Sequence, residues 1–312
     1  MSEYFGGSQM VHNYLPGYLK LFEAGKLEKL RQNAYQELEN CTICPHNCQV
    51  NRLNGQIGFC QTGEYVRIAS FFPHLGEEGP LVGNKGSGTI FFSYCNLKCT
   101  FCQNYDISHY GNGELISLEK LARIMVKLQN TGCHNINLVS PSHFIPQIIS
   151  ALYEASKMGL KIPVVYNSGG FDSIKGLKYL DGIIDIYLPD IKFGSDETAY
   201  YYTKATNYFQ VVNKAVSEMF RQVGPLKTDK HGIAYQGLIV RHLVLPKNLA
   251  ESKQVFEMLA DISQDITVNV MGQYYPAYQA HQDELLSQPP TIKDIKAARK
   301  SAHDRGLNLL DD

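Results

Sequence analysis

The chain has no surplus of charge of either sign. Its 29 Lys and Arg stand against 30 Asp and Glu, a formal net charge of −1. That balance gives no global attraction to nucleic acid or to an anionic membrane surface, so neither is expected as a partner. There is no apolar run of about eighteen residues, the length a membrane helix needs. No signal-peptide pattern runs from Met1 to Lys20, which makes the cytoplasm the expected compartment. Internal repeats and low-complexity segments are also missing. Charged residues make up only 19% and hydrophobic ones 44%, which excludes a disordered chain and supports a packed core.

Cysteine is what the chain has in quantity. Seven of its eight cysteines fall between Cys41 and Cys102. Disulfides are disfavoured in a reducing cytosol, so metal ligation is the better explanation of that density. Isolated Cys133 reads as a core residue.

Hydrophobic periodicity sets the organisation. Residues 15–40 read as helical. A cysteine-rich knot and glycine-rich loops follow, up to Gly88. Strands are then expected at 89–93, 136–139, 162–166, 183–188, 238–245 and 266–270. Helices are expected between them, the first capped by Ser117, and the last over 291–305. Six strands alternating with helices predict an α/β fold with a parallel sheet. A closed eight-stranded barrel needs two more units. The expectation is therefore an open partial (β/α)6 barrel over residues 86–312, with a helical and Cys-rich extension over 1–85. A doubly wound open sheet is the runner-up. Either architecture gathers ligands at the carboxyl ends of the strands.

Two cysteine sets differ in kind. Cys41, Cys44, Cys48 and Cys60 have the spacing C-x2-C-x3-C-x11-C, which suits a structural zinc or a second iron–sulfur cluster. Buried free cysteines are the plain alternative. His46 lies inside this knot, as a substitute ligand or a surface loop histidine. Cys95, Cys99 and Cys102 form C-x3-C-x2-C directly after the first strand. Three thiolates hold three irons of a cubane and leave the fourth open, and open metal positions are where chemistry occurs.

The second set, with an aromatic before its last cysteine, resembles the radical S-adenosylmethionine (SAM) superfamily. The stretch CNLKCTFCQNYD, with Asn104 and Asp106, is similar to the cluster loop of pyruvate formate-lyase activating enzymes. The CTICPHNC knot and HLGEEGPLVGNKGSGTIFFS resemble a less characterised branch of those proteins. The resemblance spans about Cys41 to Pro246. It implies a 4Fe–4S cluster, SAM chelated at the open iron, and hydrogen abstraction by a 5′-deoxyadenosyl radical. It also implies an electron donor of flavodoxin or ferredoxin type.

The later strand ends supply candidates for cofactor contact. Phe101 matches the aromatic that lies near the adenine. Where relatives have Gly-Gly-Glu-Pro, this chain has Ser140-Pro141-Ser142, so the two serines stand in for the acidic contact or cap the next helix. Asn167 resembles the Thr-Asn-Gly asparagine, and Asp190 and Lys192 resemble Asp-Leu-Lys. Asp190 and Lys192 alternate along the chain and so share a face. An Asp–Lys pair without a ligand is the alternative. Arg241 is the cofactor candidate on the fifth strand, and His242 reads as a core histidine. Gln273, Tyr274 and Tyr275 lie at the same rim, as pocket or plain loop.

Three functions compete at this level. The first is radical modification of a protein or peptide, including installation of a glycyl radical. The second is radical chemistry on a small metabolite or nucleoside. The third is a non-catalytic zinc or iron protein.

Overall fold

The computed structural model describes residues 14–310. Helices α1 (Gly17–Glu23) and α2 (Lys26–Gln36) open the chain. The single helix expected over 15–40 is broken at Gly25, whose φ of 67° is the left-handed conformation glycine tolerates. The cysteine knot is irregular backbone. Next come β1 (Val66–His74), α3 (Gly79–Val82), β2 (Ser87–Phe92), α4 (Tyr105–Ser108), β3 (Glu114–Ile116), α5 (Leu118–Asn130) and β4 (Ile136–Val139). Alternation continues with α6 (Ile145–Lys157), β5 (Val164–Ser168), α7 (Ile174–Leu180), β6 (Ile186–Ile191), α8 (Asp196–Thr203) and α9 (Tyr208–Val223). The remainder is β7 (Lys227–Thr228), β8 (Ala234–Leu243), α10 (Ser252–Ile262), β9 (Thr267–Met271), α11 (Ile292–His303) and β10 (Asn308–Leu309).

The strands form one sheet in the order β10-β9-β8-β6-β5-β4-β2-β1-β3, with β7 added on β8. Along that order every neighbouring pair from β2 to β10 is parallel, and β7 runs antiparallel on β8. The six expected strands are β2, β4, β5, β6, β8 and β9, with ends shifted by a few residues. Edges β3 and β10 do not pair with each other, so the sheet stays open. It nevertheless curls. Glu78, on the loop after β1, accepts from the side-chain amide of Asn269 on β9, far along the strand order, at 3.0 Å. Curling of this kind fits a partial barrel rather than a doubly wound sheet.

The antiparallel strands β1 and β3 were not expected. β1 runs against β2, with His74 opposite Ser87, so the loop after it starts at the amino end of the parallel strands. That loop and α3 plug the barrel from below. Leu81 packs there on Val165, Ile186, Leu188 and Ile239. Residues in register on adjacent parallel strands share a face. The register therefore sets Asn137 with Val165 and Val139 with Asn167 on the lumen face. Asp190, Arg241 and Asn269 follow at the mouth.

The N-terminal helices are tied to the barrel through Asp185, which is 1% exposed. Its carboxylate accepts from the Tyr14 hydroxyl at 2.7 Å and from the Gly17 and Val164 amides at 2.8 Å each. Burial pushes this carboxyl up to about 6, against the pull of those donors. Asp185→Ala strands three donors and is expected to lower stability by about 2–4 kcal/mol. Asp185→Asn, which keeps an acceptor, is expected to cost less. Thermal midpoints of the two variants check this, and equal midpoints for both and the parent would refute it.

Candidate active site

The loop carrying Cys95, Cys99 and Cys102 leaves β2 at the carboxyl end of the parallel strands. Its backbone is pinned on the end of α8, with the Lys98 amide donating to Thr203 O and the Thr100 amide to Tyr202 O, each at 2.9 Å. His109 Nε2 meets Cys99 O at 3.0 Å. Across the loop, a Cβ on Gly169 would stand 2.8 Å from Leu97 Cδ1, so the turn after β5 approaches as closely as glycine allows. Phe101 is buried against Phe193, Tyr202 and Tyr274, all edge-on to it.

The three sulfurs lie within electrostatic reach of one another and of Lys192. Burial pushes the Cys99 thiol up, the Lys192 ammonium pulls it down, and the sulfurs of Cys102 and Cys95 push it up again. Two polar groups contact sulfur here. The Leu97 amide donates to Cys95 Sγ at 3.4 Å, and the Ser108 hydroxyl lies 3.1 Å from Cys102 Sγ. Among the described residues, no three His, Cys, Asp or Glu side chains converge on a point that could hold a single metal ion. A cubane makes no such demand, because each thiolate takes its own iron.

Beside the sulfurs lies a network from three strands. Asp190 accepts from Lys192 Nζ at 2.9 Å and from Arg241 Nε at 2.6 Å. Arg241 also donates to Asn167 Oδ1 at 2.6 Å and meets Glu77 at 3.3 Å. Burial alone would push Asp190 up, but Arg241 and Lys192 outweigh it and hold the carboxyl at about 2. Burial works against the Lys192 ammonium, which Asp190 and Cys99 hold above the ordinary lysine range.

The structure thus brings Cys95, Cys99, Cys102, Asn167, Asp190, Lys192 and Arg241 to one mouth. It places other candidates elsewhere. Asn104 is exposed at the start of α4 and makes no side-chain cap. Ser142 is 2% exposed and bonds Asp172, which also accepts from Tyr166 and Ser168, on the helix side of the sheet. Ser140 has φ 56°, and its amide donates to Asn167 O at 2.9 Å, so it steadies Asn167 through the backbone. His242 is fully buried between Ile191 O and the Ser252 hydroxyl, as a core histidine should be. Tyr274 is buried with its hydroxyl on Leu286 O, while Tyr275 is exposed.

The knot sits against the same loop. His46 stacks on Phe59 with ring centroids 3.6 Å apart, and its Nε2 meets Asn96 O, next to Cys95, at 2.7 Å. It is thus a half-buried bridge between the two cysteine sets, not a surface histidine. Cys44 feels Cys60, Cys41 and Cys48, and its thiol is pushed up mainly by burial. The Phe59 amide donates to Cys48 Sγ at 3.4 Å, and Thr62 Oγ1 lies 3.0 Å from Cys60 Sγ.

Sequence reasoning missed Arg52, His74, Glu77, Glu78, Asn137 and Asn269. Arg52 is a charged residue between the third and fourth knot cysteines, and paired glutamates stand in a glycine-rich loop. Those were the available signals. Asn137 and Asn269 interrupt apolar strands and become visible only with the register.

Residues 89–224 match the family described as the Radical SAM superfamily. Uncharacterized protein MJ0674 of Methanocaldococcus jannaschii is 33% identical over 282 residues, 88% of this chain and 77% of that protein. Uncharacterized protein MJ0808 of the same organism is 23% identical over 92% of this chain and 84% of its own length. Streptococcus suis SuiB bound to precursor peptide SuiA aligns with TM-score 0.45 and 13% identity, over 69% of this chain and 46% of that one. The chain therefore spans about half the length of that solved structure. Among the described residues no helix is long and apolar enough to cross a membrane.

Arg241→Met removes the guanidinium from both Asp190 and Glu77 and leaves Asp190 with Lys192. It is expected to lower stability by about 3 kcal/mol, the scale of breaking a buried pair. Adding Asp190→Asn should recover part of the loss. A double-mutant cycle on the denaturation midpoints tests the coupling, and strict additivity of the two substitutions would rule it out.

Proposed function

The chain belongs to the radical SAM superfamily, and from that membership we propose that it is an enzyme modifying a protein or peptide, in the manner of an activating enzyme. The observation that carries the reading is the position of three thiols at the barrel mouth, beside the Lys192–Asp190–Arg241–Asn167 network. Cys95, Cys99 and Cys102 would hold a 4Fe–4S cluster and leave one iron for SAM. Cluster and SAM together supply, on reduction, a 5′-deoxyadenosyl radical that abstracts a hydrogen atom.

The chain's own residues orient and enclose. Lys192 offers a cation to the SAM carboxylate, and Asp190 keeps Lys192 charged and aims both Lys192 and Arg241. Asn167, fixed by Arg241, presents its amide at the same mouth. The aromatic nest around Phe101 walls the cluster loop from water. The protein or peptide substrate, with a glycyl-radical enzyme as its most specific form, rests on the resemblance of CNLKCTFCQNYD and of Asp190–Lys192 to activating enzymes. A flavodoxin or ferredoxin would supply the electron.

The knot is proposed as a second tetrathiolate metal centre, zinc or iron–sulfur, and Arg52 supports it. Arg52 is 1% exposed, yet among the described residues it meets no carboxylate. It donates to Gly63 O and His143 O, and Nη1 stands 3.9 Å from Cys41 Sγ. A buried guanidinium is costly without an anion, and a metal-bound thiolate set would be that anion. A zinc ion would require the sulfurs to close to about 2.3 Å from one centre.

After anaerobic reconstitution and reduction, the protein is expected to release 5′-deoxyadenosine from SAM, and Cys99→Ala is expected to release none while keeping its fold. Absence of cleavage in the parent protein would sink the reading. A candidate protein partner that gains a radical or a mass change would favour the peptide substrate. Turnover confined to small metabolites or nucleosides would overturn it.

In the Cys95→Ala/Cys99→Ala/Cys102→Ala variant, metal analysis is expected to find either about four irons or one zinc at the knot. Arg52→Met in that background should lose most of this metal. A metal-free knot in the triple variant would refute the second centre.

A further inference from the structure

The lumen below the mouth contains more carboxyl groups than the mouth network needs. Glu77 and Glu78 enter from the opposite end of the barrel, on the loop after β1. Both are nearly buried, with side-chain exposure of 8% for Glu77 and residue exposure of 7% for Glu78. Among the described residues, Asp190, Glu77 and Glu78 face two permanent cations, Arg241 and Lys192, and Lys192 also faces the Cys99 sulfur. His74 Nδ1 lies 3.6 Å from Glu77. Burial pushes Glu77 up to about 7, Arg241 opposes that, and Glu78 and Asp190 add to it.

Unspent hydrogen-bonding capacity points the same way. Asn137 is fully buried, and among the described residues neither atom of its side-chain amide has a partner. Its register with Val165 puts it on the lumen face. Glu78 Oε1 accepts from Asn269, and the two glutamates share a carboxyl–carboxyl hydrogen bond, but among the described residues the buried Oε2 has no N–H or hydroxyl donor. Such groups are costly to leave unmatched, so a ligand that completes them is favoured. Toward the mouth, the next lumen-facing residues on β4 and β9 are apolar, Val139 above Asn137 and Met271 above Asn269.

We propose that Glu77, Glu78 and Asn137 form a floor that receives the cationic end of a long substrate side chain. The matching chemistry is an ammonium or guanidinium on an alkyl stem. The stem lies along Val139 and Met271, and the cation donates to Glu78 Oε2, Glu77 and Asn137 Oδ1. Both groups carry the N–H donors and positive charge that the floor lacks. This deepens the radical-enzyme reading and rests on it for calling the guest a substrate.

The test is a calorimetric titration of the anaerobically reconstituted enzyme, unreduced, with and without SAM. The probes are n-butylguanidinium, n-butylammonium and the neutral n-butylurea. The cations are expected to bind about tenfold or more tightly than the urea. Glu78→Gln and Asn137→Leu, each checked for folding by thermal melt, are expected to erase that preference, and Glu77→Gln to reduce it. Equal binding of urea and cations, no cation binding, or a preference that survives Glu78→Gln would each overturn the proposal. Loss of cation binding when SAM is added would also overturn it, by assigning the floor to the SAM ammonium. SAM cleavage by the same preparation is scored separately. Its failure counts against the radical chemistry and leaves the titration to decide the floor.

Discussion

Asp190 is the point at which the barrel mouth is held together. One carboxylate takes the Lys192 ammonium on one oxygen and the Arg241 guanidinium on the other. These groups come from adjacent strands, and Arg241 carries the connection on to Asn167, a strand further. Each ion would be expensive to place there alone. Together they fix the direction of three polar side chains at the carboxyl ends of β5, β6 and β8. The cluster loop depends on the same arrangement, because Lys192 is the cation that faces the Cys99 sulfur.

A common rule governs both cysteine sets. Each has a cation nearby, half-buried Lys192 for the mouth and buried Arg52 for the knot. Each has one backbone amide and one hydroxyl directed at sulfur, Leu97 and Ser108 in one case, Phe59 and Thr62 in the other. Burial favours neutral thiols at Cys44, Cys95 and Cys99. The same cations, amides and hydroxyls would stabilise anionic sulfur in a metal-loaded form, in keeping with the proposed centres. The His46–Asn96 contact makes the two sets immediate neighbours.

The parallel core was legible because its strands are short apolar runs between amphipathic helices, a pattern with few alternative explanations. Val139, Asn167 and Asp190 could be placed at strand ends from that pattern alone. β1 escaped it. Its antiparallel pairing leaves residues such as Phe72 exposed, so no continuous apolar run announces it. Ser142 was misleading for a different reason. It follows the second parallel strand as a cofactor contact would, but the local turn points it at Asp172 on the helix side. Glu77 and Glu78 were invisible as site residues because the connection that brings them in enters from the far end of the barrel.

That inward loop changes what the open sheet means. A partial barrel exposes an edge and a lumen that strands alone do not fill. Here α3 closes the lower end with Leu81, and the two glutamates preceding it stand inside the barrel instead of in solvent. Burying them is unfavourable without matching charge, and Arg241 supplies part of that charge while already committed to Asp190. The result is a graded interior, with cations and sulfur toward the mouth, apolar side chains on the walls and carboxylates below. A guest that is apolar along its length and cationic at its tip follows that gradient, whereas an anionic guest is opposed by Glu77 and Glu78, whose one paired guanidinium, among the described residues, is Arg241. The order of charges along the barrel axis therefore constrains the substrate more strongly than the net charge of the chain, which is close to zero.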